Sequence, residues 1–310
     1  MNNNLPNSKK ILKETLDRID GAYASSTIRA YKASFEEFTI FCEGHKKQAL
    51  PASPLVTAQF IQSLIQRKLS SSTIRRTVSG IGTIHRLNRL NDPTRDPDVL
   101  IEMRRMHRQL GRAAKQANPI THEILERLIN VTDQSLRGLR DKALLMVAYD
   151  TLCRRSELIS LRTEDIGSPI SNYQINGYSQ TTILLRKSKT DPERTGKYLH
   201  ITSQTYQALM EWLDKSKIIQ GPIFRGINNS QDIGENLGAQ EVNRILKRLS
   251  KKAKIDDSVI QGISGHSLRV GAAQDLAQSG VSLPMLMAKG RWSKTDTALR
   301  YIERMGLTLS

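Results

Sequence analysis

Between residues 8 and 116, apolar side chains return at steps of three and four almost without a break. That period belongs to amphipathic helices packed against one another. In "SSTIRAYKASFEEFTIFCE" (25–43) the stripe is Ile28, Tyr31, Phe35, Phe38 and Cys42. The opening "SSTIR" returns at 71–75 and leads into Ile74, Val78, Ile81 and either Ile84 or His85. Ser and Thr at such starts predict helix caps. Five residues do not establish a duplication. Arg29, Arg75 and Arg76 stand beside these starts, where backbone N–H groups, hydroxyls and a cation together suit a phosphate.

The helical pattern stops at Ala117-Asn118-Pro119, and Thr121 with Ile124, Leu125 and Leu128 begins another helix. This places a linker near 115–120 between two domains, 8–116 and 120–310. The second domain is predicted helical at 121–132, 138–152, 203–216, 239–253 and 265–279. Two short strands, "TTILLR" (181–186) and "KYLHIT" (197–202), flank the polar loop "KSKTDPERTG", and a third strand is expected near Tyr173 to Ile175. The fold class is mainly α, with an α+β second domain holding a small antiparallel sheet.

Charge narrows the function. Lys and Arg number 47 against 30 acids, a net charge of +17. A globular chain this basic is most simply a polyanion binder, the alternative being a heavily charged soluble surface. The bias is sharpest in "MRRMHRQLGRAAK" (103–115), where Arg104, Arg105, Arg108, Arg112 and Lys115 meet no acid. This stretch reads either as a solvated face or as a contact tracking a nucleic-acid backbone. Cys42 and Cys153 are too few for a disulfide framework and wrongly spaced for zinc. No apolar run reaches membrane-spanning length, and "MNNNLPNSKK" lacks the core of a secretory signal. The expectation is a cytoplasmic, nucleoid-associated protein.

Four pieces of the second half carry groups suited to phosphate chemistry. Arg154 and Glu157, in "YDTLCRRSELISL", lie three apart as if on one helical turn, which alone reads as an intrahelical ion pair. Lys189 sits in the loop between the strands, where a lysine is ordinarily just solvated and Lys187 competes for any role. "SGHSLRVGAAQDLAQSG" (264–280) sets His266 and Arg269 three apart among small residues that leave room for something bulky. "GRWSKTDTALRYIER" brings Trp292 and, nine residues on, Tyr301, which singly reads as a half-buried helix residue.

Taken in order, Arg-x-x-Glu, a lysine between strands, His-x-x-Arg, Gly-x-Trp and then Tyr, the series resembles the tyrosine recombinase (phage integrase) family. "AYDTLCRRSELISLRTEDI", "GHSLRVGAAQDLAQSGVSLPMLM" and "GRWSKTDTALRYI" resemble its Cre-like branch. The likeness covers the second half strongly. It covers the first half only as a helical, basic, DNA-clamping core-binding domain. It implies that Arg154 and Arg269 clamp the scissile phosphate, that Glu157 supports them, and that Lys189 is the general acid for the 5′-hydroxyl. It implies His266 as proton acceptor or hydrogen-bond donor, Trp292 as indole donor and packing partner, and Tyr301 as nucleophile.

The resemblance also implies a clamp around duplex DNA and a homotetramer joining paired recombination sites. Strands would be exchanged through a 3′-phosphotyrosine and a Holliday junction, with no metal, cofactor or ATP. Two other readings share parts of the pattern: a type IB topoisomerase, and a non-catalytic DNA-binding regulator. The end of the chain, "IERMGLTLS", spaces Ile302, Met305 and Leu309 as a brief amphipathic turn. Such a turn either docks on a neighbouring protomer or is a disordered terminus.

Overall fold

The computed structural model describes residues 8–112, 116–167, 170–175, 178–188 and 195–303, with the backbone alone at 170–175 and 178–180. The chain divides into two compact units, Met1–Lys115 and Gln116–Ser310.

The first unit is built from α1 (Ser8–Arg18), α2 (Ser25–Gly44), α3 (Pro54–Gln66), α4 (Ser71–Leu87) and α5 (Pro97–Leu110). The stripe of α2 delivers Phe35, Phe38 and Cys42 to a core completed by Phe60, Ile61, Leu64, Ile74, Ile81 and Ile84. Ile28 and Tyr31 are only half-buried. Both candidates at the end of the α4 stripe are inside. Ile84 packs, while His85 accepts from the Ala52 N–H at Nε2 (3.0 Å) and pairs Nδ1 with the Ile81 carbonyl (2.8 Å). Helices α2 and α4 lie so close at Gly80 that a Cβ there would stand 2.8 Å from Ser34 Cβ.

The repeated "SSTIR" does not cap as expected. Ser70, one residue earlier, caps α4 by accepting from the Thr73 N–H (3.2 Å). Helix α2 starts after Ala24 with no side-chain cap. The two copies share sequence without sharing a capping bond.

The second unit runs α6 (His122–Asn130), α7 (Leu136–Thr151), α8 (Arg155–Leu158), β1 (Ile170–Ile175), β2 (Tyr178–Leu185), β3 (Lys197–Ile201), α9 (Ser203–Ser216), α10 (Ala239–Lys252), α11 (Asp257–Gln261), α12 (Ser267–Gln278), α13 (Leu283–Gly290) and α14 (Thr295–Ile302). The strands form an antiparallel sheet in the order β1-β2-β3, with Ile183 opposite Leu199. Helix α7 is the spine, packing on α9, α12 and β3. It is buried on several sides, and its two buried charges, Arg140 and Asp141, pair with each other at 2.7 Å. A main core gathers Leu144, Leu145, Ile183, Leu209, Trp212, Phe224 and Leu246. A second, smaller core joins Leu152, Val270, Ala272, Ala273, Leu286, Trp292, Ala298 and Tyr301. No helix among the described residues is long and apolar enough to cross a membrane.

The small residues of α12 serve packing rather than an incoming substrate. A Cβ at Gly271 would lie 1.8 Å from the Ile120 carbonyl oxygen. The segment before α6 runs against this helix, with Asn118 N–H bonded to the Gly262 carbonyl (2.9 Å) and Ile120 N–H to the Ser267 carbonyl (3.0 Å). The backbone N–H of His122 donates to the Asp275 carboxylate (2.7 Å), and Thr121 begins α6 without a side-chain cap.

Candidate active site

The smaller core is where the separated sequence pieces converge. Helix α7 ends at Leu152 in a left-handed turn (φ 50°, ψ 30°), which turns the chain sharply and presents the Leu152 carbonyl inward. Arg154 follows in extended conformation as the residue before α8. The expected single helical turn is therefore a helix start. The Glu157 carboxylate reaches back to the Arg154 N–H (2.9 Å) and also takes the Arg154 guanidinium at Nη1 (2.7 Å). Arg154 keeps about a quarter of its side chain exposed while Glu157 is buried.

All four acceptor positions of Glu157 are in use. Oε1 takes Arg154 Nη1 and Ser188 Oγ (2.9 Å), and Oε2 takes the Arg154 N–H and Arg291 Nη2 (3.0 Å). Burial opposes its charge. The Arg154 N–H, the Arg291 charge and the hydrogen bonds from Arg154 and Ser188 outweigh that and bring the carboxyl down to about 2.

His266 stands at the N-terminus of α12, with Arg269 one turn into the helix. The turn before it is tied down by Gly265 N–H to Asn243 Oδ1 (2.6 Å) and by Ser264 N–H to Ser267 Oγ (3.0 Å). Arg269 is almost wholly buried and donates from Nη1 to the Leu152 carbonyl (2.6 Å) and from Nη2 to the Gly290 carbonyl. Its guanidinium carbon lies 4.9 Å from the centre of the Trp292 ring. The buried Arg269 Nε, Arg291 Nε and Trp292 Nε1 find no acceptor among the described residues. Buried donors gathered in a cationic site suit an anionic partner.

Tyr301 lies on α14, 9% exposed. Its ring packs 4.6 Å from that of Trp292, and its carbonyl accepts from Gln274 Nε2 (3.1 Å). The hydroxyl meets His266 Nε2 at 2.6 Å. Burial, then the charges of Arg269 and Arg154, push the imidazole down to about 4. At neutral pH the ring is uncharged, and in the tautomer protonated at Nδ1 its Nε2 accepts from the phenol O–H. Three guanidiniums, one carboxylate and a neutral imidazole leave an excess positive charge around the tyrosine oxygen. That is a setting for a phosphodiester.

The structure thus brings together Arg154, Glu157, His266, Arg269, Trp292 and Tyr301. Lys189 lies outside the described residues, as does the chain end from residue 304. Arg291 was missed by the sequence reading. Its signal is a cation between Gly290 and Trp292, at the position that Gly-x-Trp leaves unspecified.

In the first unit, Arg29, Arg75, Arg76, Arg104, Arg105, Arg108 and Arg112 are all exposed. Arg75, Arg104 and Arg112 share a surface cavity of about 480 Å³ with His107. Arg104, Arg105, Arg108 and Arg112 line a second cavity of about 570 Å³. Arg29 and Arg76 line neither. Burial and then Arg112 and Arg75 hold His107 below its usual value. Arg105 is ion-paired with Glu102. No group of three metal-ligating side chains occurs among the described residues.

Comparison with known proteins gives a consistent picture. An "Integrase/recombinase xerD homolog" of Selenomonas ruminantium is 29% identical over 98% of this chain and 89% of its own length. "Recombinase cre" of Escherichia phage P1 is 25% identical over 96% and 90%. A crystal structure of the XerH site-specific recombinase bound to palindromic difH substrate superposes with a TM-score of 0.65 at 16% identity. It covers 97% of this chain and 87% of that one, which shows a common fold. The model of the phage integrase family matches residues 118–305, the greater part of the chain and all of the site just described. The chain belongs to the phage integrase family.

Proposed function

We propose that this chain is a tyrosine-type site-specific DNA recombinase whose nucleophile is Tyr301. The observation that carries the assignment is the 2.6 Å contact between the Tyr301 hydroxyl and His266 Nε2, set against the buried Arg269. A phenol is a weak nucleophile at neutral pH, and a neutral imidazole at hydrogen-bond distance takes its proton as the oxygen attacks phosphorus. The new bond joins Tyr301 Oη to the 3′-phosphate, and the bond to the 5′-oxygen breaks. Arg154, which has Nε and Nη2 unclaimed among the described residues, and Arg269 hold the non-bridging oxygens as charge builds. The open Trp292 indole N–H is a third donor to them. Lys189 gives the leaving 5′-oxygen its proton. The phosphotyrosine conserves the bond energy, so a 5′-hydroxyl of a partner strand reverses the step with no ATP.

The exposed arginines of the first unit track the phosphate backbone. Both units contact a duplex, and four copies join two sites through a Holliday junction within the nucleoid. The DNA-bound recombinase that shares the fold supports this reading. The test is a plasmid carrying two copies of a site enriched from a random-sequence library. Recombined circles are the expected product. Relaxed but unrecombined plasmid would mark a topoisomerase, and bound but uncut plasmid a regulator.

A further inference from the structure

Three successive residues close the site from one side. The Gly290 carbonyl takes Arg269, Arg291 reaches Glu157, and Trp292 packs on Tyr301. Gly290 and Trp292 belong to the recognised series, and Arg291 has no part in it. Yet Arg291 is the more constrained. It ends α13 in a left-handed conformation (φ 55°, ψ 48°), and its side chain is 9% exposed. Its Nη1 donates to the Thr151 (2.9 Å) and Lys289 (3.2 Å) carbonyls. Its Nη2 donates to the Leu152 carbonyl (3.2 Å) and to Glu157 Oε2 (3.0 Å).

We propose that Arg291 is a positioning residue that keeps the Arg154 guanidinium free for the scissile phosphate by occupying the far oxygen of Glu157. This rests on the recombinase reading above. Arg154 engages Glu157 through one guanidinium nitrogen only. A guanidinium and a carboxylate left to themselves prefer a two-pronged pair. Here the second oxygen is already filled by the Arg154 N–H and by Arg291, so the fork cannot close. Without Arg291 that oxygen regains a vacant acceptor site, and Arg154 can pivot onto it with both prongs and away from the substrate. Arg291 thus acts on the phosphate through two intermediaries, Glu157 and Arg154. It also bonds the Leu152 carbonyl that receives Arg269, which ties both clamping arginines to one corner of the chain.

The test is a double-mutant cycle of Arg291→Met and Glu157→Gln. It is read as single-turnover covalent adduct formation on a duplex enriched from a random-sequence library, with duplex affinity measured alongside. Methionine keeps the volume and removes the donors, and glutamine removes the charge that would capture Arg154. Arg291→Met should slow adduct formation ~30-fold in the otherwise native chain but only ~3-fold in the Glu157→Gln background, with duplex affinity unchanged in both. A purely structural arginine would instead give equal factors in the two backgrounds, and that result overturns the proposal. If Arg291→Met does not fold by circular dichroism, Arg291→Lys carries the same cycle. One ammonium cannot serve Glu157 and three carbonyls at once, so the same non-additivity is expected and equal factors again refute it. Absence of any adduct with the native chain would overturn the recombinase reading and this proposal with it. Adduct formation with additive losses removes the positioning role alone.

Discussion

Acidification is the sharpest perturbation of the proposed site, because one group governs the outcome between pH 4 and pH 7. His266 is held at about 4, first by burial and then by Arg269 and Arg154. At pH 5 an imidazole with its ordinary value near 6.5 would be roughly 3% neutral, whereas one at about 4 is roughly nine-tenths neutral, a difference of about thirtyfold in competent base. Glu157, at about 2, does not titrate in this window. The quantity to measure is kcat/KM for adduct formation, whose acid limb reports the free enzyme. The limb should fall with a midpoint near pH 4 to 5. A midpoint at 6 to 7 that vanishes in His266→Asn would refute the claim that the site keeps the ring neutral.

The same shift has a stability consequence with a definite sign. The native state binds fewer protons than the unfolded state between pH 4 and 6.5, so unfolding free energy from this group is present above pH 6.5. It is lost as the pH falls toward 4. The ceiling is about 3 kcal/mol, from roughly 1.4 kcal/mol per pKa unit, and the partly open ring lowers it. Denaturant titrations of native and His266→Asn chains across this range should converge in slope above pH 7 and diverge below 6.

Three further outcomes are expected. Glu157→Gln should flatten stability against pH between 4.5 and 2, where the native chain loses what its ionised carboxylate contributes; an unchanged acid profile would mean the carboxylate is not held as described. Gly271→Ala should cost about 2–3 kcal/mol in chemical denaturation, because its Cβ has no room beside Ile120, and a loss under 1 kcal/mol would show that the segment yields easily. Arg104→Ala should flatten the salt dependence of duplex binding by about one unit of slope, and Arg105→Ala by less, since Glu102 already offsets that charge; equal effects would contradict this.

What the sequence disclosed and what it hid follow from the range of the interactions. The α2 stripe and the pairing of Arg154 with Glu157 are local, fixed by steps of three and four, and both were legible. That Arg154 precedes a helix rather than sitting within one was not, because it depends on the left-handed Leu152. The small residues of α12 suggest room for a substrate, yet Gly271 makes room for a chain segment some 150 residues earlier, a contact no local pattern encodes. The role of Arg291, although the residue stands between Gly290 and Trp292, is hidden for the same reason. Its partners, Thr151, Leu152 and Glu157, are distant in sequence and mostly backbone, and backbone acceptors leave no mark on composition. His266 and Tyr301 were linked by the resemblance alone, since 35 residues separate them and only the packing of α14 on α12 brings them together.

The central claim is that Tyr301 becomes covalently attached to DNA. The adduct formed on an enriched duplex can be digested with trypsin and nuclease and weighed by mass spectrometry. Cleavage after Arg300 and Arg304 releases Tyr301-Ile302-Glu303-Arg304. The expected result is a nucleotide phosphate on that tetrapeptide, lost altogether in Tyr301→Phe while the duplex is still bound. A nucleotide on any other tyrosine, or an undiminished adduct in Tyr301→Phe, would contradict the account.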